Sequence, residues 1–262
     1  MKRLRIDLQY DGTDFAGWQS QPGGNTVQDL LEEHLRAVLA VPDLRVAAQG
    51  RTDAGVHALR QVVHFDCDTL IPPKKLPRLL NKRLLQRGVV VLEAKEVKET
   101  FHARFSASSR TYCYVLYRSE APPPVYLLRY CHHITHRFNA SLVSEAIREF
   151  VGEHDFAAFC SSDWEGDTTV RHLMEASVVI EGPWVRFVFK ANAFLHNMVR
   201  HIVGLLLQIS KEKQSQELIS TLLKSPGPTS KSRRPWSLPP AKGLFLVDVE
   251  YPDEVSGWLL VM

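Results

Sequence analysis

An aspartate held between two glycines in a short polar loop is the feature of this chain best suited to chemistry. The loop reads Gly50-Arg51-Thr52-Asp53-Ala54-Gly55-Val56-His57-Ala58. Glycines allow unusual backbone angles or the close approach of a ligand. Arg51, two residues before Asp53, can hold that carboxylate ionised or bind a phosphate. The same pattern also makes tight turns in which Asp bonds its own backbone. His57 can supply a proton or serve as a structural ring. The 4 cysteines, Cys67, Cys113, Cys131 and Cys160, form no C-x-x-C pair, which argues against a zinc ribbon or a thioredoxin-type site. The chain carries no dinucleotide fingerprint and no P-loop. The expectation is chemistry with no metal and no cofactor.

Charge is distributed unevenly. The net charge is only +3, too weak a field to announce nucleic acid by itself. Yet Thr69 to Leu92 has no acid and carries Lys74, Lys75, Arg78, Lys82, Arg83 and Arg87. His102 to Arg118 carries Arg104, Arg110 and Arg118 without an acid. Leu218 to Val247 carries Lys224, Lys231, Arg233, Arg234 and Lys242, again without one. Such segments suggest a basic face on a nearly neutral protein, or solvated loops. The N-terminus has no signal-peptide apolar stretch, and no window approaches 18 apolar residues. A soluble cytoplasmic protein without a membrane partner is expected.

With 262 residues, 45% of them apolar, the chain can bury one large core or two modest ones. Leu4, Ile6, Leu8 and Tyr10 alternate with polar residues, which predicts a half-buried strand. Val27, Leu30, Leu31, Leu35, Val38 and Leu39 share one face of a helix, with Thr26 and Asp29 as its capping box. Strands near Leu44–Ala48 and Gln61–Asp66 flank the Asp53 loop. The second half repeats the plan. A strand at Thr111–Tyr117 is followed by a helix at about Ser141–Val151, with Asn139 as N-cap and Gly152 as stop. Strands at Met174–Glu181 and Trp184–Ala191 come next. A helix then carries Val199, Ile202, Val203, Leu206 and Ile209 on one stripe. A shorter helix at about Gln216–Lys224, a Pro-, Ser- and Arg-rich loop and a strand at Leu244–Tyr251 close the chain. The pattern predicts an α+β fold of two similar halves, residues 1–104 and 105–262. Each is a mostly antiparallel sheet with helices on one face, the sheets joined across a central cleft.

Six blocks, in order, resemble the tRNA pseudouridine synthase A family. The Asp53 loop resembles its signature. Tyr10-Asp11-Gly12-Thr13, with Phe15 and Gly17-Trp18-Gln19, is similar to its first motif. Phe101-His102-Ala103-Arg104-Phe105, with Arg110, Tyr112 and Tyr114, resembles its central block. His154-Asp155-Phe156 with Ala158-Phe159, Phe194-Leu195-His196-Asn197-Met198-Val199-Arg200, and Gly243-Leu244-Phe245-Leu246 with Val249 and Tyr251 resemble the rest. The blocks span residues 10 to 251. Two segments depart from the family. Lys82 to Val89 stands where a Leu-Pro-Pro-Asp-Ile type run is usual, and Ser237-Leu238-Pro239-Pro240 stands where Thr-Ala-Pro is frequent. Both departures fall outside the presumed chemical centre.

The resemblance implies the pseudouridine synthase fold and isomerisation of uridine in the anticodon stem-loop of tRNA, positions 38 to 40. It implies Asp53 as the nucleophilic carboxylate, Arg200 as its ionic partner, and Tyr112 as the ring that stacks on the base and takes the C5 proton. Arg51 would fill the place of the flipped nucleotide or bind its phosphate. Leu244 would form an apolar floor, and Arg104 and Arg110 would contact RNA. The family has no cofactor and acts as a homodimer. Two other classes compete. A non-catalytic RNA-binding module would keep the basic segments without needing Asp53, Tyr112 and Arg200 together. A glycoside or nucleoside hydrolase would commonly use a second carboxylate, for which Asp7, Asp11 and Asp14 are the candidates.

Overall fold

The computed structural model describes residues 1–161, 166–224 and 234–252. Most of the Pro-, Ser- and Arg-rich loop, with Lys231 and Arg233, lies outside them. The chain divides into two compact units, residues 1–108 with 245–262, and residues 109–244. Both are α+β.

In the first unit, β1 (Lys2–Tyr10) pairs antiparallel with β3 (His57–Cys67) on one side and β4 (Val89–Val97) on the other. The two-residue β2 (Ala47–Ala48) adds to β3. Helix α1 (Val27–Leu39) starts where expected: Thr26 Oγ1 accepts from the Asp29 amide at 3.2 Å. Helix α2 (Leu76–Leu84) was not anticipated from the sequence. It buries Leu76, Leu80 and Leu84 at four-residue spacing and leaves Lys74, Lys75, Arg78, Lys82 and Arg83 exposed on and around it. The first basic segment is thus the solvated face of an amphipathic helix.

The last strand, β10 (Leu244–Glu250), differs from the expected division. Phe245 and Leu246 pair in parallel with His57 and Ala58, and residues 245 onward belong to the first unit. The strand brings Asp248 to the polar face of β1. That face is not solvated, as alternation implied, but buried. Arg5 is 1% and Asp7 4% exposed. Arg5 grips Asp7 with two hydrogen bonds of 2.7 and 2.9 Å. Arg60 bonds Asp7 at 2.9 Å and Asp248 at 2.7 Å. The Arg5 guanidinium also lies 4.5 Å from the Tyr251 ring centroid. Burial pulls down the Arg60 pKa, but Asp248 and Asp7 outweigh it, and the net shift is upward. Breaking a buried pair from one side leaves an uncompensated charge, at about 3–5 kcal/mol. Asp7→Ala is therefore expected to lower unfolding free energy in urea by that amount. A loss under about 1 kcal/mol would show that the network contributes little.

In the second unit, β5 (Ser109–Arg118), β9 (Trp184–Ala191), β8 (Val170–Glu181) and β7 (Gly152–Asp155) form an antiparallel run. The short β6 (His132–Ile134) lies parallel to β5. Helix α3 (Ala140–Ala146), capped by Asn139, packs on α4 (Met198–Ser210). Helix α5 (Glu217–Lys224) follows. The sequence suggested one apolar stripe on α4, yet the helix is buried nearly all round. The segment 236–239 covers its other side. A Cβ on Gly204 would lie 2.6 Å from Trp236 and 2.7 Å from the Ser237 carbonyl, so only glycine lets that segment approach.

Candidate active site

The Asp53 loop is cast in a mould made by the first motif. Val56 N–H donates to the Asp53 carbonyl at 3.1 Å, closing a turn whose third residue, Gly55, has φ of 77°. That left-handed value suits glycine. Thr52 is held twice. Its carbonyl accepts from Trp18 N–H at 3.0 Å, and its hydroxyl lies 2.8 Å from the Tyr10 hydroxyl. Burial pushes the Tyr10 phenol well up, so it stays protonated as a hydrogen-bonding partner. Gly12 presses on the far side of the loop. A Cβ there would sit 2.0 Å from the Val56 carbonyl oxygen. Gln61 Nε2 ties the loop's start through the Gly50 carbonyl at 3.2 Å. Asp53 itself is half-buried, while Arg51 is exposed.

His57 takes the structural of its two possible roles. It is 1% exposed, its Nδ1 accepts from Gly12 N–H at 3.1 Å, and its ring stacks on Phe245 at 4.7 Å. Two of the three candidate second carboxylates are committed elsewhere. Asp7 belongs to the buried network. Asp11 accepts from the Thr13 amide and hydroxyl at 3.0 and 2.6 Å. Asp14 is exposed on a turn.

The second unit carries the other candidates. Tyr112, on β5 opposite Phe189, is half-buried and meets the Phe194 ring edge-to-face at 4.9 Å. Arg200 lies in the first turn of α4. Its Nη1 donates to Asn197 Oδ1 at 2.7 Å and its Nε to the Pro239 carbonyl at 2.9 Å. Asn197, the N-cap with φ of 60°, is in turn fixed to Ser161 Oγ at 2.8 Å. Tyr114 donates to the neighbouring Pro240 carbonyl at 2.8 Å, and burial drives its phenol well up. The strap 236–240 then leads into Leu244, which is 5% exposed. Arg110 is buried and bonds the Asn192 carbonyl at 2.7 Å. Arg104, of the first unit, is exposed and lies 5.6 Å from the centroid of the exposed Phe105 ring.

Asn197, Tyr114 and the strap escaped the sequence reading as supports of the site. So did the meaning of the two departures. Pro239 holds Arg200, and the Gly88 carbonyl accepts from Asp11 N–H at 2.9 Å, beside the mould of the loop. Both segments therefore touch the supports of the site rather than lying apart from it. They do so through backbone carbonyls, which a change of side chain leaves in place.

Comparison with known proteins gives the family. The family model for tRNA pseudouridine synthase matches residues 8–106 and 146–252. The chain belongs to the tRNA pseudouridine synthase family. It is 40% identical over 253 residues to a tRNA pseudouridine synthase A of Anoxybacillus flavithermus, covering 97% of this chain and 100% of that one. A tRNA pseudouridine synthase A of Paraburkholderia xenovorans is 41% identical over 259 residues, covering 98% and 92%. A chain in the crystal structure of a Cbf5-Nop10-Gar1 complex shares 12% identity at a TM-score of 0.36, over 76% of this chain and 43% of that one, too loose a likeness to bear on the fold. Membership in the tRNA pseudouridine synthase family makes the chain an isomerase of tRNA uridine, not a passive RNA-binding module or a hydrolase. No helix among the described residues is long and apolar enough to cross a membrane.

Acid should loosen the supports of this synthase. Burial, then Arg234 and Arg200, hold His201 down at about 3. Burial, then His102 and Arg3, hold His64 down at about 4. Both folded values lie below the unfolded value near 6.5, so the unfolded chain binds more protons between them. Their contribution is complete above about pH 6.5 and is lost as pH falls toward 4 and 3. Together the loss by pH 5 is about 4 kcal/mol. From these two rings alone a melting temperature followed from pH 7 to pH 5 should fall by roughly 8–16 °C, and His132, held down at about 4, adds to the fall. A flat profile would mean that these rings titrate normally.

Proposed function

We propose that the enzyme isomerises uridines 38 to 40 in the anticodon stem-loop of tRNA, with Asp53, Tyr112 and Arg200 acting together on one uridine. The observation that carries this reading is the mould around the Asp53 loop. A carboxylate that must meet C1′ within a few tenths of an ångström needs a rigid backbone behind it. Here Tyr10, Gly12, Trp18 and Gln61 hold the loop from outside, and the turn through Gly55 closes it from within.

The chemistry follows from the parts. Asp53 attacks C1′, and the C1′–N1 electron pair leaves with the uracil. The detached base rotates, and C5 attacks C1′ and releases the carboxylate. Tyr112 takes the C5 proton, and N1 gains one. A route in which the carboxylate first removes a ribose proton uses the same residue and balances to the same isomer. Arg200 keeps Asp53 charged and aimed. Leu244 provides an apolar floor against water. Arg51 takes the space or the phosphate of the flipped nucleotide, which offsets the few kcal/mol needed to unstack it. Arg104 and the basic face of α2 contact the RNA backbone, so binding weakens with salt. Arg110, buried with its guanidinium on the Asn192 carbonyl, is not one of these contacts. RNA shape rather than sequence is read, because the A-form major groove is closed to side chains. The enzyme works in the cytoplasm as a homodimer.

Carbodiimide mapping of tRNA transcripts after incubation tests the position. Reverse-transcription stops are expected at 38, 39 or 40. Stops confined to another arm would overturn the anticodon assignment and leave the isomerase intact.

A further inference from the structure

The second unit contains a cavity of about 270 Å³ that plays no part in the chemistry above. His132 and His136 line it from β6 and the turn after it, Gln208 and Lys211 from the end of α4, and Ser237 and Pro239 from the strap. No described residue that lines it is acidic. Glu212, next to Lys211 in the chain, is turned to Arg137 at 3.2 Å and Asn139 at 3.3 Å. The Lys211 ammonium has no carboxylate partner among the described residues.

His132 Nδ1 is buried and has no hydrogen-bond partner among the described residues. Burial, then the charges of Lys242, His136 and Lys211, hold this imidazole down at about 4, so it is neutral near pH 7. A neutral imidazole can present an N–H at Nδ1. The residues that line the cavity carry an ammonium (Lys211), imidazoles (His132, His136), an amide (Gln208) and hydroxyls (Thr135, Ser237), and no carboxylate. That is the complement of a compact oxyanion.

We propose that this cavity is a phosphate-group site. A backbone phosphate of bound tRNA is its natural source, and only that choice of source rests on the function proposed above. Lys211 lies about 16 Å from Arg200 along α4, at 1.5 Å per residue. The phosphate held here therefore belongs to a nucleotide other than the one reacting at Arg200. The cavity would fix the path of the strand beyond the target.

Lys211→Ala and Lys211→Arg test this. The tRNA affinity of each is measured over a salt series by fluorescence anisotropy. Inorganic phosphate and uridine 5′-monophosphate are titrated into the wild type and both variants by calorimetry. Lys211→Ala is expected to weaken tRNA binding roughly five- to tenfold near 0.1 M salt and to lower the salt slope by about one, with Lys211→Arg retaining both. If Lys211→Ala loses only phosphate and the mononucleotide, the site serves a free phosphate compound. Indifference of tRNA, phosphate and mononucleotide binding to Lys211→Ala would overturn the site. Failure of the tRNA reading itself would appear as absent isomerisation by the wild type, and the phosphate titration would still be readable.

Discussion

Asp53→Ala is expected to fold, to bind tRNA with the affinity of the wild type, and to lose isomerisation by on the order of 10⁴-fold or more. The first part follows from how the loop is held. Its anchors are the backbone carbonyls of Asp53 and Thr52, the Thr52 hydroxyl and the packing of Gly12 on Val56. Removing the carboxylate leaves all of these in place. The second part follows from the chemistry, since both routes need this one group at the ribose. Circular dichroism and anisotropy with tRNA check the first part, and single-turnover rates check the second. If Asp53→Ala fails to fold, the residue is a turn former, the other use of this sequence pattern.

Gly12→Ala is expected to cost at least about 100-fold in kcat/KM although the residue has no side chain. A misplacement of about 1 Å at a reacting group is enough for that loss. The new methyl carbon would fall 2.0 Å from the Val56 carbonyl oxygen, so the loop must move. The neighbour is backbone and has no rotamer into which to retreat. Overpacking of this kind costs about 1–3 kcal/mol of stability, which the fold should survive. The same shift disturbs the bond from Gly12 N–H to His57 Nδ1 and with it the ring stacked on Phe245. Near-normal kcat/KM in Gly12→Ala would mean that the loop adapts freely and that the mould is not what positions Asp53.

Much of this site was legible because its parts are close in sequence. The Asp53 loop, the capped helix α1 and the strand of Tyr112 all follow from patterns within a dozen residues. What stayed hidden depends on partners far along the chain. Arg5 and Asp7 read as the wet side of a strand because the residue that completes their network, Asp248, is 188 positions from Arg60. Helix α2 was obscured by its own charge, since three buried leucines at four-residue spacing sit among six basic residues. His57 looked equally suited to proton transfer, and its contacts with Gly12, Asp11 and Phe245 reveal it as a packed ring. The strap that holds Arg200 works through the Pro239 carbonyl, a group that every residue carries and no motif records. The joint action of Asp53, Tyr112 and Arg200 rests on the six-block resemblance and on chemical need.

The most direct test of the account uses tRNA transcripts tritiated at uridine C5. They are incubated with the wild type and with Asp53→Ala, without added metal or nucleotide. Formation of the C5–C1′ bond expels the tritium to water, so its release reports the isomerisation itself. The expected result is release by the wild type and none by Asp53→Ala at equal bound tRNA. Release by both at similar rates would remove Asp53 from the chemistry, and no release by a wild type that binds tRNA would contradict the isomerase.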